Sequence, residues 1–167
     1  MRFCVAALAL LLVPAAFAGD DPVSPSCQAD LVGLAITVPE GFADNQHLVA
    51  PEGTPEAPTL VLCSFVDEAT GRFFVVEVHT YFDAARQAAW ARGDETAAHS
   101  DIVLTSTAAP VLNVEVDSAR DMDFEEGHGV MVYGCEAGNC YKLVASGSAD
   151  TERDALVDVL RGVRFEG

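Results

Sequence analysis

Glu77 and His79 stand two residues apart in the β-rich run 72–82, and therefore on one face of a strand. A carboxylate beside an imidazole is the pairing used by general acid–base catalysts and by zinc sites, provided that a further ligand or a pocket converges on it. His128 or His99 could supply that group. The chain has no His-Glu-x-x-His, no phosphate-cradling glycine loop, and no Gly-x-Ser-x-Gly elbow around Ser146-Gly147-Ser148. A metal-dependent hydrolase using His79, His128 and nearby carboxylates is thus an alternative reading, set against the ordinary role of a strand histidine as surface.

A second cluster is Asp121-Met122-Asp123-Phe124-Glu125-Glu126-Gly127-His128-Gly129. Carboxylates are hard oxygen ligands suited to calcium. The calcium-loop template wants Gly at its sixth position and Glu at its twelfth. Counting from Asp121, Glu126 and Val132 stand there. Acidic residues alternating with Met122 and Phe124 read instead as a half-exposed strand entering a glycine turn. A calcium-binding structural secreted protein is the other alternative. No residue is assigned a catalytic, metal-binding or cofactor-binding role, and no cofactor is expected.

The cysteines point to a compartment. Met1-Arg2, an apolar run over 3–13 and Ala16-Phe17-Ala18 form a secretory signal peptide, 1–18, with a small-x-small cleavage site. Its apolar core is shorter than the roughly 20 residues a membrane-spanning helix needs. Cys4 leaves with it. Cys27, Cys63, Cys135 and Cys140 remain, an even number that reads as two disulfides in an oxidising compartment. Cys135 and Cys140 enclose Glu136-Ala137-Gly138-Asn139, a short turn between β-rich arms, where directly opposed residues lie within bridging distance. Pairing them leaves Cys27 with Cys63. No Cys-x-x-Cys spacing suggests a redox centre. The expected destination is secreted or periplasmic, with no membrane insertion once the leader is removed.

Charge excludes one class of partner. The chain carries a formal net charge of −17, and the leader removes only Arg2, leaving 8 basic residues against 26 acidic ones. Phosphate backbones need clustered Lys and Arg, whereas Lys142 is the single lysine and the arginines are scattered, so nucleic acid is not expected as a partner. Such acidity serves solubility.

These residues need a scaffold to position them. The 149 residues after the leader suit one domain, 31–167, preceded by an extended N-terminal segment, 19–30, with Pro22 and Pro25. Strands are expected over 31–38, 59–66, 72–82, 102–107, 111–116, 122–124, 129–135 and 140–146, with hairpins at 67–71 and 136–139. Phe74, Val76 and Val78 should face the core. The proline-rich stretch 42–58 reads as a loop, most mobile over 44–56. Asp83 should cap a helix over 84–92 that stops at Gly93, with Trp90 anchoring it on the sheet. Asp150 should cap a last helix whose apolar stripe is Ala155, Leu156, Val159, Leu160 and Val163, with Glu152, Asp154 and Asp158 toward water. Residues 163–165 could add a strand. The fold class is α+β, an antiparallel sheet of about six strands with helices packed on its faces.

Leu34-Ala35-Ile36-Thr37-Val38-Pro39-Glu40-Gly41-Phe42, two strands, a helix, a meander, the Tyr141-Lys142-Leu143 strand and a terminal amphipathic helix together resemble the PsbP/Mog1-like superfamily. The resemblance implies an antiparallel sheet with helices on both faces, used for binding or assembly. The functional expectation is an exported, non-enzymatic binding or assembly module of the bacterial envelope. Its partner would be a protein or small ligand of that envelope, held through the 42–58 loop and the helix after Asp83. Intact-mass measurement on exported material should show residues 1–18 gone and four hydrogens missing for the two bridges. Free thiols in that sample would contradict the assignment.

Overall fold

The computed structural model of the protein describes residues 34–36, 41–49, 60–80, 83–93, 101–136 and 139–165. The signal peptide, the segment 19–30, Cys27, His99 and 50–59 lie outside the described residues. Among the described residues, nine strands and two helices run in the order β1 (Leu34–Ile36), β2 (Ala43–Val49), β3 (Leu60–Asp67), β4 (Arg72–His79), α1 (Ala84–Ala91), β5 (Val103–Thr107), β6 (Ser118–Phe124), β7 (Gly127–Glu136), β8 (Asn139–Ser148), α2 (Arg153–Leu160) and β9 (Val163–Phe165). Seven strands form one antiparallel sheet, ordered β2-β3-β4-β8-β7-β6-β5, and β1 pairs with β9 in a separate ribbon. The α+β expectation therefore holds, with seven strands in the sheet in place of about six.

Period-two alternation decides what each face buries. Val61, Cys63 and Phe65 of β3, Phe74, Val76 and Val78 of β4, Tyr141, Leu143 and Ala145 of β8, and Val130 and Val132 of β7 point to one side and form the main core. On that side lie Leu156, Val157, Val159 and Leu160 of α2, all at most 4% exposed, and Val163 of β9. Val157 widens the expected stripe. The interleaved positions Cys140 of β8 with Met131, Tyr133 and Cys135 of β7 point the other way, where they pack with Trp90 of α1. One helix thus lies on each face.

Three expectations are corrected. Residues 43–49 are not loop but an edge strand, with Leu48 opposite Leu62 and Val49 opposite Val61. Its polar sequence, Ala-Asp-Asn-Gln-His-Leu-Val, hides the strand signal, and a bulge between Asp44 and Gln46 breaks the alternation. Residues 111–116 are not a strand, because their partners lie outside any ladder. The Tyr141 hydroxyl donates to the Glu115 carbonyl, Arg161 Nε donates to the Val111 carbonyl, and Asn113 Nδ2 donates to the Arg161 carbonyl. Leu112, Val114 and Val116 pack into the main core as the segment crosses the sheet. Gly134 makes room for it, since a Cβ there would clash with the Glu115 carbonyl oxygen. Asp150, finally, does not cap α2. The Thr151 amide first closes a turn on the Ser148 carbonyl, so the cap falls on Glu152, without a side-chain hydrogen bond.

Val163, expected in the apolar stripe of the last helix, lies beyond it in β9, and the strand expected over 122–124 begins at Ser118. The ends of α1 sit where turn chemistry puts them. The Arg86 amide donates to Asp83 Oδ1 at 2.8 Å, and Gly93 ends α1 at φ +68°, a conformation that favours glycine. Leu160 is fully buried while Val103 is 64% exposed. Leu160→Ala should therefore lower unfolding stability by about 2–5 kcal/mol and Val103→Ala by less than about 0.5 kcal/mol, both read from urea denaturation. Equal losses would mean that α2 does not close the core.

Candidate functional site

Two cross-sheet rows bring the polar residues of the α1 face together. Glu77 of β4 lies opposite Lys142 of β8, which lies opposite Tyr133 of β7. One row further along, His79 lies opposite Cys140, and Cys140 opposite Cys135. The second row is covalently closed: Cys135 and Cys140 form a disulfide. This is the hairpin bridge expected from the turn spacing. Cys63 is also disulfide-bonded, while its expected partner, Cys27, lies outside the described residues. Disulfides fit an oxidising, extracytoplasmic environment.

Glu77 is the electrostatic centre. His79 Nε2 stands 2.7 Å from Glu77 Oε1, and Lys142 Nζ pairs with Oε2, so both carboxylate oxygens are engaged. The Glu77 and His79 side chains are 16% and 14% exposed, well withdrawn from water. Burial works to raise the Glu77 pKa. The hydrogen bond with His79 and the charge and hydrogen bond of Lys142 outweigh it, holding the carboxyl below its usual range.

Trp90 closes this pair from above. Its indole Nε1 donates to the Tyr141 carbonyl at 2.9 Å. The His79 ring meets it at 4.7 Å between centroids, the Tyr133 ring meets it edge-on at 5.7 Å, and Lys142 Nζ lies 5.6 Å from its centroid. A cation over an indole is attractive, and more so where water is excluded. Tyr133 is buried, and its hydroxyl contacts Met131 Sδ at 2.7 Å. Desolvation, reinforced by the Glu77 charge and partly opposed by Arg120, pushes its pKa up to about 12, so the phenol stays protonated at neutral pH. Arg120 Nη2 donates to the carbonyls of Arg92 and Gly93 at the end of α1, where a cation offsets the helix dipole.

The convergence of His79 with His128 that the hydrolase alternative requires does not occur. His79 is paired with Cys140 and His128 with Gly147, seven residues apart along β8, or about 23 Å at strand rise. Alternation also sends the two side chains to opposite faces. The acidic cluster is equally dispersed. Asp121 accepts from Arg153 Nε at 2.8 Å, Asp123 is exposed, and Glu125 and Glu126 sit in the β6–β7 turn. Among the described residues no three His, Cys, Asp or Glu side chains are grouped to hold a metal ion. Ser148 Oγ lies 3.3 Å from Thr151 Oγ1 in the turn before α2.

Lys142 and Tyr133 are the members of this cluster that motif reading passes over. The signal for Lys142 was one charge of each sign, Glu77 and Lys142, inside the mainly apolar runs 73–78 and 140–145. Comparison with protein-family models, with curated proteins and with solved structures finds no match to this chain.

Because the folded-state pKa of Glu77 is lowered from 4.5, its stabilising contribution is present above that value and lost as pH falls through the folded pKa. Glu77→Gln should cost about 2 kcal/mol at pH 7, and the gap to wild type should narrow progressively in denaturation series taken at falling pH below 4.5. A gap of the same size at both pH values would show that the carboxylate charge is not what Lys142 and His79 stabilise.

Proposed function

We propose that this chain is an exported, non-enzymatic binding or assembly module of the bacterial envelope. The observation that carries the reading is the engagement of Glu77: both of its oxygens are taken up inside the fold, by His79 and by Lys142, beneath Trp90. A general base must reach a substrate proton. Here the Glu77–His79 carboxylate–imidazole pair packs under Trp90 and helps hold a helix onto strands.

The antiparallel sheet with one helix on each face supports the PsbP/Mog1-like resemblance, in which the fold serves contact between proteins. The disulfides support a place outside the reducing cytosol. No helix among the described residues is long and apolar enough to cross a membrane. Residues 43–49, the first part of the stretch expected as a contact loop over 42–58, belong to the sheet. On α1, Ala84, Ala85, Arg86 and Ala88 face water while Trp90 faces the sheet.

Photo-crosslinking in the producing cell tests this directly, with the crosslinker placed one position at a time at exposed sites such as Ala88, Thr105, Glu126 and Asp154. A discrete adduct of constant mass, formed from neighbouring sites and not from distant ones, is expected. The absence of any adduct, together with a turnover activity abolished by His79→Ala, would replace this reading with the hydrolase one.

A further inference from the structure

The two edges of the seven-stranded sheet are built differently. An edge strand presents unpaired N–H and C=O groups and is a template for another chain, so natural edges are blunted by charges, prolines or bulges. β2 follows that rule: it carries Asp44 and a bulge between Asp44 and Gln46. β5 does not. Its register with β6 runs without interruption from Val103 opposite Asp123 to Thr107 opposite Ala119, and β6 is its one strand partner among the described residues.

The sequence around β5 is equally bare. Residues 102–114 form the longest run without a charged residue downstream of the leader, in a chain with 26 acidic side chains. Val103, Leu104, Thr105, Ser106 and Thr107 combine β-branched and uncharged types, with no proline inside the strand. Val103 is 64% exposed and Val111, just beyond, is 85% exposed. The uncharged β-rich run 60–66, by contrast, belongs to a strand paired on both sides.

We propose that the β5 edge is a docking site for an extended, basic segment of a partner protein, which joins the sheet as an eighth strand antiparallel or parallel to β5. The inference rests on the reading of the chain as a binding module and names its surface and partner chemistry. Main-chain hydrogen bonds supply the pairing, and alternate side chains supply selectivity. The choice of a basic occupant follows from charge. At the Val103 end the edge is flanked by three exposed carboxylates, Asp123, Glu125 and Glu126. A strand added outside β5 would lie two strand spacings, about 10 Å, from β6, within reach of a Lys or Arg side chain extending toward Asp123. A second copy of this chain is disfavoured as the occupant, because a large net negative charge on each partner opposes association.

The test uses the mature chain and a fluorescent synthetic peptide, a lysine cluster followed by alternating threonine and valine, read by anisotropy. Saturable binding is expected, weakened about tenfold when Asp123→Asn, Glu125→Gln and Glu126→Gln are combined, and lost when alternate peptide nitrogens are methylated. Thr105→Pro and Ser106→Pro separate the roles of neighbouring amides, since proline is tolerated only where the N–H points away from β6. The variant of the two that retains the wild-type melting temperature should lose peptide binding. Equal affinity for a glutamate-for-lysine peptide, or for the methylated one, would overturn the proposal. So would dimerisation of the wild-type chain that the same proline abolishes, which would make a second copy the occupant. Failure of the peptide to bind, alongside a crosslinked partner mapped to another surface, would remove this docking site and leave the binding-module reading standing.

Discussion

The register of β8 between β4 and β7 is the constraint on which the structure depends. Pairing Lys142 with Glu77 and Tyr133 sets the charged and phenolic side chains toward α1. The same register sets Leu143 beside Val76 and Val132, inside the main core under α2. A slip of one residue would exchange the two faces. It would bury Lys142 among aliphatic side chains without its carboxylate, at a cost of about several kcal/mol. The ion pair therefore acts less as a net source of stability than as a penalty on every wrong pairing.

The two helices are held by different physics as a result. α2 brings four buried aliphatic side chains to the sheet, so its docking is non-directional and scales with apolar area. α1 is equally short but brings only Trp90 to full burial, and an eight-residue helix has little stability of its own. What fixes it is directional: the indole N–H on the Tyr141 carbonyl, ring contacts with His79 and Tyr133, the Lys142 cation at the ring, and Arg120 on the last carbonyls. The Cys135–Cys140 bridge closes the hairpin directly beneath this contact.

Much of this was legible in the residues. Alternation in 72–79 told which side of β4 is buried, Asp83 and Gly93 marked both ends of α1, and the spacing of Cys135 and Cys140 told their pairing. Where turn chemistry and alternation agreed, the reading held. It failed for β2, whose strand character comes from pairing with β3 and not from its own polar residues. It failed again for 111–116, where aliphatic residues signalled a strand but side-chain partners from Tyr141 and Arg161 took the backbone groups. The candidate site was half legible. Glu77 and His79 stand together as the spacing implies, but which third residue joins them depends on strand order, and strand order chose Lys142 over a distant histidine.

The sheet has an internally paired centre and two unequal edges. The centre spends its polar groups on itself, and β5 presents backbone with little to guard it. Whether the Glu77–Lys142 pair secures that centre is best measured by a double-mutant cycle on unfolding stability, with Glu77→Gln, Lys142→Met and the two combined. A coupling free energy of about 1 kcal/mol or more is expected, with the double variant more stable than the sum of the single losses implies. Additive losses would contradict the account, because the two charges would then be neighbours in the sheet without holding one another there.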